Sequence, residues 1–264
     1  MAASEGDGSA AGYTVPPDIY DIAVGWDPQP EADRLLLLAR QAGLRPDSAL
    51  ELGCGTGRLL SVLRAAVPDV WGIELSPAMA ELARSRSAAT IVVGDMSAFS
   101  LRRRFDLIFT SANTVRHILS DAACARLWAC IGEHLHPGGV FIADLELGVA
   151  AAGQSVGKPI TWTVARGGDE VRATWQVVRP PSAGQRCCTV EYTFELRGLA
   201  RRGFWKERFC LRVYEAAEFV AAATRSGDLR LSGIYELRDP YLPATTVARA
   251  AGRHLVVFQR LAGT

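Results

Sequence analysis

Between Ala49 and Leu147, short apolar runs alternate with stretches of helical periodicity, and this alternation leaves few folds open. Strands separated by helices do not pair as hairpins; they line up in parallel and are covered by helices on both faces. The spacing predicts strands at SALEL, DVWGIE, TIVVGD, FDLIFT and GVFIADLEL, with helices at TGRLLSVLRAA, SPAMAELARSR and SDAACARLWACIGEHL between them. HPGG reads as the stop and turn that closes the last helix. A further helix, PEADRLLLLARQAG, precedes the first strand, and DLRLSGIYEL and RHLVVFQRLA supply two more strands near the end. The fold class expected is α/β: an open, doubly wound, mostly parallel sheet of seven strands, Rossmann-like in its winding.

After Gly148 the pattern changes to β-rich runs, ITWTVAR, EVRATWQVV, CCTVEYTFELRG and FWKERFCLRVY, separated by turn residues at RGGD and RGLARRG. They predict two antiparallel β-hairpins inserted before the helix EAAEFVAAATRSG. The expected organisation is one domain over residues 13–264, with a β-rich lid insertion at about 155–213. Residues 1–12 read as a disordered tail, with neither the basic start nor the apolar core of a secretory signal.

Composition narrows the function classes. With 264 residues, 49% of them hydrophobic, and a net charge of +1, the chain buries a sizeable core and presents no overall field for nucleic acid or anionic lipid. No apolar run reaches the roughly 20 residues of a membrane span. Arg102–Arg104 and Arg201–Arg202 read as solvated loop charge. The six cysteines lack CxxC spacing, which favours reduced thiols in a cytoplasmic protein.

The chemistry concentrates in LELGCGTGRLL, Leu50 to Leu60, where a strand turns into a helix through glycines at 53, 55 and 57. Such a turn exposes backbone N–H groups and the positive end of a helix dipole. A dinucleotide loop, GxGxxG counted from Gly53, needs glycine at position 58, where Arg58 stands. A phosphate loop needs Gly-Lys-Ser/Thr, which is absent.

The pattern Glu51-x-Gly53-x-Gly55-x-Gly57 resembles motif I of the class I S-adenosylmethionine-dependent methyltransferases, and the resemblance extends over about Leu50 to Leu147. It implies S-adenosyl-L-methionine as cofactor and S-adenosyl-L-homocysteine as product. Carried onto this sequence, Gly53, Gly55 and Gly57 border the amino-acid part of the cofactor, with Glu51 toward its ammonium. Glu74, ending the next strand, takes the ribose diol with Leu75 beside the adenine, while Asp95 and Met96 of VGDM hold the adenine edge and face.

The fourth strand leads into FTSANTVRHILSD, which is similar to the N-x-x-x-H-L segment of small-molecule methyltransferases, including glycine and aminosugar N-methyltransferases, with Ile118 in place of the usual leucine. Ligands of open α/β sheets meet the carboxyl ends of strands, which places Ser111, Asn113, Arg116 and His117 at the transferred methyl. His117 is the candidate base or orienting group, and Arg116 a candidate for a substrate carboxylate or phosphate. At the start, YTVPPDIYDIAVGWD is similar to the lead segment of the same enzymes, with Tyr13, Tyr20 and Trp26 as candidate cofactor cover.

The expectation is a soluble methyltransferase acting on a nitrogen or oxygen of a small molecule, without metal or membrane partner, monomeric or homodimeric. The (D/N)PP(Y/F) signature of adenine and amide methylation is absent, which argues against a nucleic-acid base as acceptor. Two other classes fit the same cofactor loop: a non-methylating cyclase, pericyclase or regulatory protein, and a tRNA or protein methyltransferase using the arginine runs as a binding stripe.

Overall fold

The computed structural model describes residues 13–148, 156–182, 186–237 and 242–262; the predicted tail at 1–12 lies outside them. In chain order the elements are α1 (Pro17–Ala23), α2 (Gln29–Gln41), β1 (Ser48–Leu52), α3 (Arg58–Leu63), β2 (Asp69–Glu74), α4 (Pro77–Ser87), β3 (Thr90–Val93), β4 (Phe105–Thr110) and α5 (Asp121–His134). There follow β5 (Leu135–Leu147), β6 (Ile160–Arg166), β7 (Asp169–Arg179), β8 (Cys187–Gly198), β9 (Arg202–Arg212), α6 (Ala216–Thr224), β10 (Leu229–Glu236), β11 (Ala244–Thr245) and β12 (Gly252–Arg260).

The main sheet runs β11-β10-β12-β5-β4-β1-β2-β3. β1 to β5 are mutually parallel, and β12 pairs antiparallel between β5 and β10. Alternate residues of the central strands feed two cores, as the two faces of a pleated strand require. Leu50, Leu52, Ile108 and Phe141 pack toward α5 and α6, whereas Ala49, Leu107, Phe109 and Ile142 pack toward α2, α3 and α4. Because both faces are covered, all five residues of β1 are buried, Glu51 included. α4 and α5 start on serine caps, Ser76 accepting from the Met79 amide at 3.4 Å and Ser120 from the Ala123 amide at 3.1 Å.

Three expectations change. The sheet has eight strands rather than seven, the additional one being β11, whose two residues pair antiparallel with Ile234 and Tyr235 and are too few to show any periodicity. HPGG does not separate helix from strand: α5 ends at His134, and the tetrapeptide lies inside β5, where the pairing jumps from Phe105–Leu135 to Leu107–Val140 and Gly138 has φ 79°. The insertion is one antiparallel meander, β6-β7-β8-β9, instead of two separate hairpins, because β7 and β8 also pair along nearly their whole length. The turn at RGGD does form as read, with Gly167 and Gly168 both at positive φ and Arg166 paired to Asp169.

The meander packs one face on α1. Val171, Ala173, Phe194 and Leu196 bury against Ile19, Ile22 and Ala23, with Tyr13, Tyr20 and Trp162 around them. Much of the insertion's aromatic face is thus occupied by the chain's own N-terminal segment. All six cysteines are free thiols. Among the described residues, no helix is long and apolar enough to cross a membrane.

Candidate active site

β1 and β4 are neighbours in the sheet but lead into loops of different helices, so a crevice opens at their carboxyl ends. The glycine turn forms its floor. Gly53, Gly55 and Gly57 all have left-handed backbones, with φ of 72°, 55° and 73°. Their surroundings differ. A Cβ on Gly53 would stand 2.3 Å from Thr114 Cγ2 and one on Gly57 3.0 Å from the Ala83 backbone, whereas one on Gly55 would meet nothing within 4 Å. Two glycines are therefore needed for packing, and the middle one faces open space where a ligand can approach the backbone.

Glu74 closes the outer side of this floor. Its Oε2 accepts the Gly55 amide at 2.8 Å and its Oε1 the Ser76 amide at 2.9 Å, so the carboxylate is oriented before any ligand arrives. Leu75 beside it is exposed, as is Val93 at the end of β3. Asp95 is exposed and accepts the Ser97 amide at 2.7 Å, while Met96 lies half-buried against the core.

On the inner side Glu51 is buried. Ser111 Oγ donates to its Oε1 at 2.8 Å, and its Oε2 has no partner in the protein. Burial pushes its pKa up to about 8 against the lowering effects of Ser111 and Arg58. Arg58 donates through Nη2 to both oxygens of Glu31, at 2.8 and 3.0 Å, under the ring of Trp26 at 4.9 Å.

The loop after β4 is braced by β5. Ala112 and Asn113 take left-handed backbones, held by Asp144, whose Oδ2 accepts the Ala112 amide at 3.1 Å and whose carbonyl accepts the Asn113 amide at 3.0 Å. Asn113 Oδ1 accepts the Glu146 amide at 2.7 Å. Asp144 is itself clasped by Arg253 through two hydrogen bonds of 2.9 and 2.7 Å. Among the described residues, no group of three or more His, Cys, Asp or Glu is placed to hold a metal ion.

His117 follows one turn later, its ring 5.1 Å from that of Phe209 on β9. His117 is exposed as a residue, yet desolvation by the protein around it, with the Arg116 charge next door, pushes its pKa down to about 4. It is therefore neutral at physiological pH. Arg116 departs from its expected role. Its side chain is buried, with Nε on the Arg212 carbonyl at 2.8 Å, Nη1 on Glu146 at 3.2 Å and Nη2 on Cys188 at 3.6 Å, so it clamps the insertion to β5 and does not face a substrate anion.

The N-terminal segment covers the crevice. Tyr20 packs against Tyr13 and Phe194, and burial together with the nearby Glu74 charge pushes its pKa up to about 12. Asp21, next to it, is a functional residue that no motif marks, its one local signal being an acid beside the apolar Ile19, Ile22 and Ala23. It accepts Thr56 Oγ1 of the glycine turn at 2.7 Å and is paired with Arg86 of α4 and Arg166 of β6. Burial alone would raise this carboxyl, but the bonds from Arg86, Thr56 and Arg166 outweigh it and hold it below the usual range. Glu207 of β9 plays a similar part, its Oε1 accepting the Thr14 and Val15 amides at 2.7 and 2.8 Å. The arginine runs are partly used at home: Arg103 pairs with Asp69, and Arg201 with Asp18 and Asp169.

Comparison with known proteins finds methyltransferases among similar sequences and folds. Residues 49–139 match the methyltransferase domain family. The chain is 33% identical over 131 residues to a dTDP-3-amino-3,4,6-trideoxy-alpha-D-glucopyranose N,N-dimethyltransferase of Streptomyces venezuelae, covering 48% of this chain and 55% of that protein. The matched stretch thus spans about half the length of that relative. Trans-aconitate 2-methyltransferase of Methylobacterium radiotolerans is 28% identical over 249 residues, 85% of this chain and 88% of that one. The crystal structure of Streptomyces venezuelae DesVI superposes with a TM-score of 0.76 at 24% identity, covering 90% of this chain and 96% of its own.

Proposed function

We propose that this chain, residues 49–139 of which match the methyltransferase domain family, is a class I methyltransferase that transfers a methyl group from S-adenosyl-L-methionine to the nitrogen of a small amine, of the amino-sugar nucleotide class. One observation carries the cofactor part: Gly55 faces open space between an oriented carboxylate, Glu74, and a buried carboxyl with an unpartnered oxygen, Glu51. A nucleoside whose diol meets Glu74 and whose charged end reaches Glu51 fits that floor.

The cofactor supplies an electrophilic methyl on a positively charged sulfur. The protein has to bind, align and exclude water. The acceptor nitrogen lone pair would form the new bond to the methyl carbon as the carbon–sulfur bond breaks, and the proton left on nitrogen would depart to water. Held neutral, His117 accepts a hydrogen bond from the amine and keeps its lone pair in line. Asn113, fixed by the Glu146 amide, holds the loop that carries His117, and Ser111 positions Glu51. Tyr20 and the insertion form the cover, in the role of a lid. Leu75, Asp95 and Met96 make the adenine shelf.

The amine is favoured because two amino-sugar N,N-dimethyltransferases are 33% and 35% identical to this chain over 131 residues. The trans-aconitate relative, which covers more of the chain, makes a carboxylate oxygen the second reading. The test is incubation of the purified protein with labelled S-adenosyl-L-methionine and two panels, amino-sugar nucleotides and polycarboxylic acids, read by mass spectrometry. A mass gain of one or two methyl groups on the first panel supports the proposal; gain on the second alone replaces it with carboxyl methylation, and gain on neither removes the assigned acceptor.

A further inference from the structure

His117 is held differently from the other buried or half-buried rings of its kind in this chain. His134 engages both nitrogens, Nε2 accepting the Leu101 amide at 2.8 Å and Nδ1 meeting the Cys130 carbonyl at 2.7 Å, and His254 meets the Gly252 carbonyl through Nδ1 at 2.9 Å. Among the described residues no hydrogen bond orients the His117 imidazole, which ends the short helical turn Thr114–His117. Its partner is a ring: Phe209 of β9, with centroids 5.1 Å apart and planes inclined at 37°.

Phe209 is itself braced. The Tyr13 ring meets it edge-on at 5.6 Å, and it packs against both apolar clusters of the insertion, the one that α1 covers and the one around Val177, Val190 and Leu211. Glu207 lies two residues earlier on the same face of β9 and accepts the Thr14 and Val15 amides at 2.7 and 2.8 Å. The segment that carries Tyr13 is thus tied to the strand that carries Phe209. We infer that Phe209 is a positioning residue for methyl transfer: its ring, braced by Tyr13, sets the tilt of the His117 imidazole and shields it from water, leaving the unprotonated nitrogen free for the acceptor amine. The inference rests on the role given to His117 above and adds the group of the insertion that keeps it in that role.

An apolar ring in place of water removes the hydration that an imidazolium needs, so the neutral form is favoured. The pKa of about 4 has the same origin, desolvation first and the Arg116 charge second. The other charges on β5 and β9, the strands packed against this turn, are engaged elsewhere: Glu146 with Arg116, Asp144 with Arg253, Glu207 with Thr14 and Val15, and Arg212 with Asp121. Tyr13 keeps its proton, because burial holds its phenol well above the usual range. The insertion thereby acts on the reacting groups through one side chain, in addition to covering them.

The experiment is a proton NMR titration of the imidazole signals of the full chain, with the His117 signal assigned by its loss in His117→Gln. In wild-type protein that signal is expected to stay nearly flat from about pH 5 to pH 8. In Phe209→Ala its midpoint should rise by about 1.5–2 units toward 6.5, and Phe209→Leu, which keeps apolar bulk, should restore most of the shielding. For the amino-sugar nucleotide methylated in the panel above, kcat/KM of Phe209→Ala should fall about 4–10-fold at pH 5 relative to pH 8, taken as a ratio to wild type so that titration of the acceptor amine cancels. A folded Phe209→Ala whose His117 signal titrates as in wild type overturns the inference, since a purely structural Phe209 would alter stability without moving that signal. A moved titration with an unchanged kcat/KM ratio removes His117 from the reaction, and with it the reading on which the inference rests. If Phe209→Ala does not fold, wild-type protein decides: nuclear Overhauser contacts between the His117 and Phe209 rings with a flat titration uphold the assignment, and a midpoint near 6.5 or the absence of those contacts refutes it.

Discussion

Asp21 on α1 accepts the hydroxyl of Thr56 at 2.7 Å, which sets a carboxylate from the N-terminal helix against the glycine turn. The same carboxylate is paired with Arg86 and Arg166, so one side chain joins the glycine turn, α4 and the insertion. Covering helix and binding floor are coupled through this one group.

Removing that carboxylate should be costly on two counts. Asp21→Ala leaves Arg86 and Arg166 without their shared carboxylate and Thr56 without its acceptor; since both guanidiniums reach solvent, the expected cost is about 1–3 kcal/mol, measured by chemical denaturation. Asp21→Asn, which keeps the shape, should cost less in stability but still weaken S-adenosyl-L-homocysteine in calorimetry, because Thr56 and α1 lose their charged anchor. Unchanged affinity in Asp21→Asn would mean that α1 does not act on the cofactor floor.

The glycine turn predicts a contrast between neighbours. Gly55→Ala meets no atom and carries only the strain of a left-handed alanine, about 1–2 kcal/mol, yet it places a methyl where the ligand is proposed to lie. Its stability should fall modestly and its ligand affinity sharply. Gly53→Ala adds a collision with Thr114 to the same strain, so its thermal unfolding temperature should fall further. Equal effects of the two on binding, measured against stability, would contradict a ligand over Gly55.

Glu51 gives a pH prediction. Its folded pKa of about 8 lies above the unfolded value, so the unfolded chain gives up this proton at a lower pH than the folded one. Stability is thereby lost progressively as pH rises through the acidic range toward 8. Glu51→Gln removes that loss, and the ligand-free variant should be stabilised relative to wild type at pH 8 by roughly 1–3 kcal/mol, with little gain at pH 5. Thermal unfolding at the two pH values checks it.

His117 titrates in the other direction. With its folded pKa near 4, the unfolded chain binds a proton that the folded one refuses, so the residue destabilises the fold as pH drops below about 6.5. The acidic limb of the kcat/KM profile that belongs to this group should lie near 4 and not near 6.5. His117→Ala should lower kcat by up to about 10²-fold through loss of alignment of the amine.

The buried position of Arg116 carries a prediction of its own. Arg116→Met should destabilise the protein by about 3 kcal/mol or more, since Glu146 then loses its cation and the Arg212 carbonyl its donor. In protein that remains folded, KM for an anionic acceptor should stay within a few-fold of wild type. A selective rise in that KM would return Arg116 to the substrate.

What the sequence determined is the part that contiguous residues can specify. SALEL followed by glycines at 53, 55 and 57 makes a strand, a left-handed turn and a helix start, since a short apolar run bounded by glycines and the positive φ they permit are local demands. That is why the parallel half of the sheet, the glycine floor, Glu74 and the β4 loop were legible. Tertiary structure decided what depends on partners far apart in the chain. Asp21 finds Thr56 and Arg166 at separations of 35 and 145 residues, and Arg116 finds Arg212 at 96. A charge in a sequence carries no mark of whether it ends in water or against a buried counter-ion; only burial makes that distinction, and burial is a property of the assembled fold. The same reason turned two expected hairpins into one meander: pairing between β7 and β8 follows from the apolar face that α1 covers, which no local turn signal encodes.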